Sequence, residues 1–310
     1  MTDPRLAHTF DWGRMYARTR GGVPEVPSIT TVLAVESQNL EWWEALCAVN
    51  ATLENIDRVA RVVNLPEGPD KWGQKRAMTD WLKDAATRDR DDASARGDKV
   101  HNYAEAFALR EIGKATDANV AEQRSICEKN GLLPFLDHFH RFWDEFHPKP
   151  LMPEATVWNR EIGYAGTTDL VCEIETSWGP AVTIMDWKTK KSLFKRNGQP
   201  KDYDLSVHTG MQLVAAAHAE EVWIEGATPD EDKWVPWEYG VELGAAVAFA
   251  PDGYVVRQYD IHNPLVWNTF KALREAWEFK RDGAATMGPK VESLDGFVRS
   301  PSATPSQTVA

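Results

Sequence analysis

Apolar positions recur with one period in the first half of the chain and another in the second. Up to about residue 150 they return every three or four residues, as in helices that bury one stripe. Leu40, Trp43, Leu46, Cys47 and Asn50 fit this period, and so do Ile56, Val59, Ala60 and Val63. Gly68-Pro69 interrupts it. A charged helix is predicted over about 71–93, with Trp72, Met78, Trp81 and Leu82 as its apolar positions. Gly97 then precedes a helix over about 98–112, striped by Val100, Ala104, Phe107 and Ala108. A fourth helix is predicted near 132–147, where Leu132, Phe135, Leu136, Phe139, Phe142, Trp143 and Phe146 share a face.

Beyond Pro150 the pattern shifts to short β-rich runs. Strands are predicted over 154–163, 165–175 and 181–187, the last two joined by the turn Ser177-Trp178-Gly179-Pro180. In the third strand Val182, Ile184 and Asp186 face one way, and Thr183 and Met185 the other. A helix follows near 206–220, then an acidic loop. Residues 245–261 read as a hairpin turned at Pro251-Asp252-Gly253. A last helix has Asn263 as N-cap, Pro264 at its first position and Gly283 at its end.

These elements predict one α/β domain over 28–287, in which a helical part (28–150) elaborates a core (151–287). Residues 1–27, with Gly21-Gly22 and three prolines, read as an irregular arm, and 288–310 as a disordered tail. There is no signal-peptide pattern and no long apolar run, so a cytoplasmic protein outside the membrane is expected. Only three cysteines occur, far apart and without a CxxC pair, which disfavours a zinc ribbon, a disulfide framework or an iron–sulfur cluster.

The informative chemistry lies in the central strands. Asp169 closes Gly166-Thr167-Thr168-Asp169, and Asp186 opens Asp186-Trp187-Lys188-Thr189. Asp186 and Lys188 share a strand face, and the intervening turn can set Asp169 beside Asp186. Two carboxylates and a lysine at one sheet edge suit Mg²⁺ or Mn²⁺, which take oxygen ligands. Taken alone, an Asp-x-Lys match is more often a surface pair, and Glu154, His101 and Gln212 each have an equally ordinary structural reading.

In order along the chain, Gly97–His101, Glu154, Gly166–Asp169, Asp186–Thr189 and Gln212 resemble the RecB-like branch of the PD-(D/E)XK nuclease superfamily. The resemblance covers about 95–260, and Pro27-Ser28-Ile29-Thr30-Thr31-Val32-Leu33 resembles the start of phage-encoded exonucleases related to CRISPR-associated RecB-like exonucleases. It implies a restriction-endonuclease-like α/β core, a mixed sheet flanked by helices. It further implies that Asp169, Asp186, the Trp187 backbone carbonyl and His101 hold one or two Mg²⁺ or Mn²⁺ ions. Lys188 would be catalytic, Glu154 would act through a metal-held water, and Gln212 would steady the site or the DNA. Many relatives carry a tyrosine four residues after that glutamine, where this chain has Ala216. The implied activity is DNA exonuclease cleavage in phage recombination or processing, with a recombination protein or further copies of the chain as partners.

Net charge is −12, which argues against coating nucleic acid through bulk positive charge. Locally the sign reverses: residues 186–201 carry a net +5 through Lys188, Lys190, Lys191, Lys195, Arg196 and Lys201, with Phe194 among them. A basic loop with an aromatic suits a phosphate backbone and a stacked base. Residues 220–242 carry a net −7 and are expected to face away from DNA. Two other readings stay open at this point: a nuclease fold that binds DNA or protein without cutting, and a phosphohydrolase acting on small nucleotides.

Overall fold

The computed structural model describes residues 4–36, 40–195, 197–201 and 205–283. The expected tail lies outside these residues, as does Arg196. The chain builds an α/β fold around a mixed seven-stranded sheet in the order β10-β9-β6-β5-β4-β7-β8. Its strands are β4 (Lys149–Asn159), β5 (Tyr164–Thr176), β6 (Gly179–Thr189), β7 (Glu221–Ile224), β8 (Lys233–Pro236), β9 (Leu243–Ala250) and β10 (Gly253–Tyr259). Only β6 and β9 run parallel, with Asp186 in register with Ala246. This is the helix-flanked mixed sheet expected of a restriction-endonuclease-like core.

Alternation along the central strands feeds two cores. Leu170 and Cys172 on β5, with Met185 and Trp187 on β6, point to one face. There they meet α5 (Ala85–Glu111), α6 (Asp117–Lys129) and α7 (Leu133–Phe146). Phe139 and Phe142 of α7 stand edge-on to the Trp187 ring, contacts worth about 0.5–1.5 kcal/mol each beyond burial. Val171 and Ile184 point to the opposite face, against α1 (Ile29–Leu33), α8 (Val207–Ala217) and α9 (Pro264–Asp282). The Asn263 side chain caps α9 by accepting from the Leu265 N–H at 3.0 Å.

The structure departs from the sequence reading in several places: β4 begins at Lys149, so Glu154 lies inside the strand rather than opening it, and the charged helix expected over 71–93 is broken at Asp84. The arm is not irregular: it forms a three-stranded sheet of β1 (Ala7–Phe10), β2 (Gly13–Ala17) and β3 (Pro24–Pro27). Its strands are short and interrupted by Gly and Pro, so no long alternation marks them. Gly97 does not precede a helix; it lies inside α5, which follows α4 (Pro69–Lys83) after a single residue. One glycine costs about 1 kcal/mol in a helix, too little to end one that packs on the sheet. Helix α6 falls in a stretch assigned no element, although Thr116 and Asn119 form a capping box there. The acidic loop holds β7 and β8, which extend the main sheet.

Helices α2 (Glu41–Glu54) and α3 (Ile56–Val63) complete the helical part. Among the described residues no helix is long and apolar enough to cross a membrane.

Candidate active site

Strand register assembles the site. Leu170 of β5 pairs with Met185 of β6, so one further step in the same register sets Asp169 opposite Asp186. Pro153 pairs with Leu170 and Ala155 with Thr168, which sets Glu154 of β4 opposite Asp169. The backbone positions of Glu154, Asp169 and Asp186 therefore stand in a row across three neighbouring strands. Lys188 Nζ lies 2.5 Å from Asp186 Oδ2, on the shared face that alternation requires. Trp187, between them, sends its ring into the aromatic core and donates its N–H to Asp169 Oδ2 at 2.6 Å. Helix α5 delivers His101, whose Nδ1 is 3.4 Å from Asp169 Oδ1. Glu154 takes a left-handed backbone (φ 49°), a strained conformation for a residue with a Cβ.

The carboxylates differ in electrostatic state. Burial would raise Asp169, but the His101 ring, the Lys188 ammonium and the Trp187 N–H outweigh it and hold that carboxyl below the usual aspartate range. Burial raises Asp186, and the Asp169 charge adds to this against the pull of Lys188. Glu154 lies well above the usual glutamate range, through burial first and then the charges of Asp169 and Glu105. Burial would lower Lys188, yet Asp186 and Asp169 keep its ammonium above the usual lysine value.

His101 Nδ1 and Asp186 Oδ2 are buried, the first near Asp169 Oδ1 and the second against the Lys188 ammonium. Two buried carboxylates and an imidazole nitrogen are donor types that fit a divalent cation. Their convergence into a coordination sphere is not formed in this arrangement. Among the described residues no group of three or more His, Cys, Asp or Glu side chains is gathered to hold a metal, and the Lys188 ammonium neutralises Asp186 instead.

The site opens into a cavity of about 130 Å³ lined by His101, Asp169, Asp186, Lys188 and Gln212, as the motif order anticipates. It is also lined by residues the sequence reading missed: Arg14 and Tyr16 of β2, Ser28 and Thr30 at α1, and Thr167. The Tyr16 hydroxyl and Thr167 Oγ1 are 2.9 Å apart, and Thr167 Oγ1 lies 3.0 Å from Thr156 Oγ1. Ala216 lines the same cavity, so a tyrosine reaches it from β2 while the helical position after Gln212 carries none. β2 buries the consecutive residues Met15, Tyr16 and Ala17, so its five residues carry no alternation that could have signalled it.

Gly166 admits α1 to this wall. A Cβ at Gly166 would lie 2.5 Å from Ile29 Cδ1, so a side chain there would force the Ile29 side chain on α1 to move. Ser28 caps α1 by accepting the Thr31 N–H at 2.9 Å, a contact worth about 1 kcal/mol.

The basic loop is a small folded unit rather than a free coil. Phe194 bridges Pro200, Leu193 is buried, and Asp252 accepts the Leu193 N–H at 2.9 Å. Its cations are not equivalent. Lys191 pairs with Asp89 of α5, and Lys201 donates to the Ser192 carbonyl at 3.1 Å. Lys190 is half-buried, its ammonium pushed down by burial and then by Lys188 and Lys201. Lys195 and Phe194 are exposed.

The acidic stretch clamps the N-terminal sheet. Glu221 pairs with Arg18 and Arg160, Asp232 with Arg20, and Glu225 with Arg5 and Arg20. The Arg18 guanidinium also lies over the Trp158 and Trp234 rings, at 4.8 and 4.4 Å from their centroids. Three of the eight acids in this stretch, Glu221, Glu225 and Asp232, are thus spent on the arginines that flank the N-terminal strands.

No family model matches the chain, and no curated protein matches it. Fifteen chains of known structure do match. One, described as the crystal structure of SSO0001, is 15% identical over 59% of this chain and 75% of its own, with a TM-score of 0.29.

Proposed function

We propose that this chain is a Mg²⁺- or Mn²⁺-dependent DNA exonuclease acting in phage DNA recombination or processing. The observation that carries the reading is the opposed register of Asp169 and Asp186, with Lys188 against one and His101 against the other. Asp169, Asp186 and His101 would hold the ion. Once bound, such an ion polarises a phosphodiester oxygen and lowers the pKa of water.

The chain's own residues supply the rest. The Lys188 ammonium faces the carboxylates and can offset charge that develops on phosphoryl oxygens. Glu154 stands next to Asp169 in the strand register but is not among the residues lining the cavity, so it would act only indirectly, through a metal-held water. Gln212 offers a neutral hydrogen bond to a phosphate at the cavity wall, where the hydroxyls of Ser28, Thr30 and Thr167 already bond one another or their neighbours. Lys195 and Phe194 would meet the strand outside it.

The test is digestion of end-labelled linear and circular DNA with Mg²⁺ or Mn²⁺. Wild type should shorten linear substrates from an end, and an Asp186→Ala/Lys188→Ala variant should not. Equal digestion by both would remove the assignment. Metal-independent DNA binding without digestion by either would identify a non-cutting module.

A further inference from the structure

A second cleft lies across α1 from the cavity. It holds about 400 Å³ and is lined by Trp12, Thr31, Ala34, Val35, Trp277, Lys280 and Arg281, with no carboxylate among the described lining residues. Helix α1 divides the two spaces: Ser28, Ile29 and Thr30 face the candidate active site, while Thr31, Ala34 and Val35 face this cleft. The β1–β2 hairpin links them in the same way, because Arg14 lines the first and Trp12, two residues earlier, lines the second. Trp12 sits in the turn of this hairpin and Arg14 at the start of its second strand, so the two spaces adjoin along one short stretch of chain.

The cleft has the chemistry of a base-stacking surface. Trp12 is 56% exposed and Phe10 42%. Their rings are stacked, with centroids 5.1 Å apart and planes 8° from parallel. Trp277 supports the stack from α9 at 6.4 Å from Trp12 and is itself buried. The Arg281 and Arg274 guanidinium groups lie over the Trp277 ring at 4.8 and 5.0 Å. Arg281 is occupied by Asp282, whereas Lys280 has no ion-pair partner among the described residues. A preformed aromatic stack with a cation beside it favours a ligand that has both a flat π-face and a phosphate.

We infer that this cleft binds an unpaired nucleobase of a DNA strand whose neighbouring phosphate lies in the candidate active site, with Trp12 stacking on the base and Lys280 contacting the backbone. The inference rests on the nuclease reading for the identity of the strand, and deepens it by naming single-stranded DNA as the ligand at the site's edge.

The experiment measures binding of a fluorescent oligothymidylate of about 12 nucleotides by anisotropy, in EDTA so that nothing is cut. A second probe has the same length and backbone but no bases. Trp12→Ala should weaken oligothymidylate binding by about tenfold, the range expected for one lost stack, and leave binding of the abasic probe unchanged. Trp12→Phe should restore most of the affinity. Lys280→Ala should weaken both probes alike and lower the salt slope by about 0.7. The inference is overturned if wild type does not bind oligothymidylate, if Trp12→Ala binds it as wild type does, or if both probes lose affinity equally in Trp12→Ala. Because binding is read without divalent metal, the two readings fail separately. Wild type that cuts DNA but ignores Trp12→Ala removes only the stacking surface. Wild type that does not cut, with base-dependent loss in Trp12→Ala, removes only the nuclease assignment.

Discussion

The Thr31 hydroxyl holds Arg14 by both of its backbone polar groups, accepting the N–H at 2.7 Å and donating to the carbonyl oxygen at 2.9 Å. This contact fastens the β1–β2 hairpin to α1, and with it Arg14 and Tyr16 to the cavity. The carbonyl has a second donor in the Ser28 N–H at 2.8 Å. Thr31→Val therefore orphans the Arg14 N–H and deprives the Ser28 hydroxyl of Thr31 Oγ1, to which it donates at 2.9 Å, at a cost of about 1–3 kcal/mol. Urea denaturation should show that loss, and Thr31→Ser should recover most of it. A Thr31→Val protein as stable as wild type would mean the hairpin is held by other contacts.

Gly166→Ala should be destabilising by about 1–3 kcal/mol, because the new methyl meets Ile29 at 2.5 Å in a packed interior. The clash has one partner, so it can be relieved at that partner. Ile29→Val in the Gly166→Ala background should raise the melting temperature, although it removes a buried methylene from wild type. Additive losses in the double variant would show that the close approach does not limit residue 166.

Acid should loosen the clamp on the N-terminal sheet. The Asp232 carboxyl is held below its usual range, chiefly by the Arg20 hydrogen bonds, opposed by burial and aided by the Gly226 N–H. A carboxyl lowered by folding contributes stability above its unfolded pKa, about 3.9, and loses it as pH falls through the lower folded value. Wild type should thus exceed Asp232→Asn in stability at neutral pH, and the gap should close below about pH 4. Denaturation curves across that range decide it; a gap independent of pH would assign the difference to packing instead.

DNA affinity should depend unequally on the basic loop. Lys191 is committed to Asp89, whereas Lys195 is exposed at the tip. Lys195→Ala should lower the slope of log affinity against log salt by about 0.7–0.9, the value for one phosphate contact. Lys191→Ala should change it less. Equal slopes for both variants would show that the Asp89 pair opens when DNA binds.

Local patterning determined the main elements and the motif order. A two-residue turn between β5 and β6 sets an antiparallel register, and residue parity along β6 then dictates that Asp186 and Lys188 share a face. These are short-range consequences of strand geometry, so Asp169, Asp186 and Lys188 could be read from the chain. The α9 boundaries were legible for the same reason, because Asn263, Pro264 and Gly283 act within one helical turn.

Tertiary structure decided what those residues meet. Arg14 and Tyr16 reach the cavity over separations of about 150 residues from Thr167, through a short strand that buries consecutive residues and so carries no alternation to announce it. The sign of net charge was likewise ambiguous in one dimension: the acids of β7 and its following turn are met by Arg5, Arg18 and Arg20, far away in sequence. Packing also overrode the helix break expected at Gly97, since a buried helical stripe outweighs one glycine. Periodicity carries contacts within an element, whereas contacts between distant elements depend on closing long loops, and no local pattern encodes that closure.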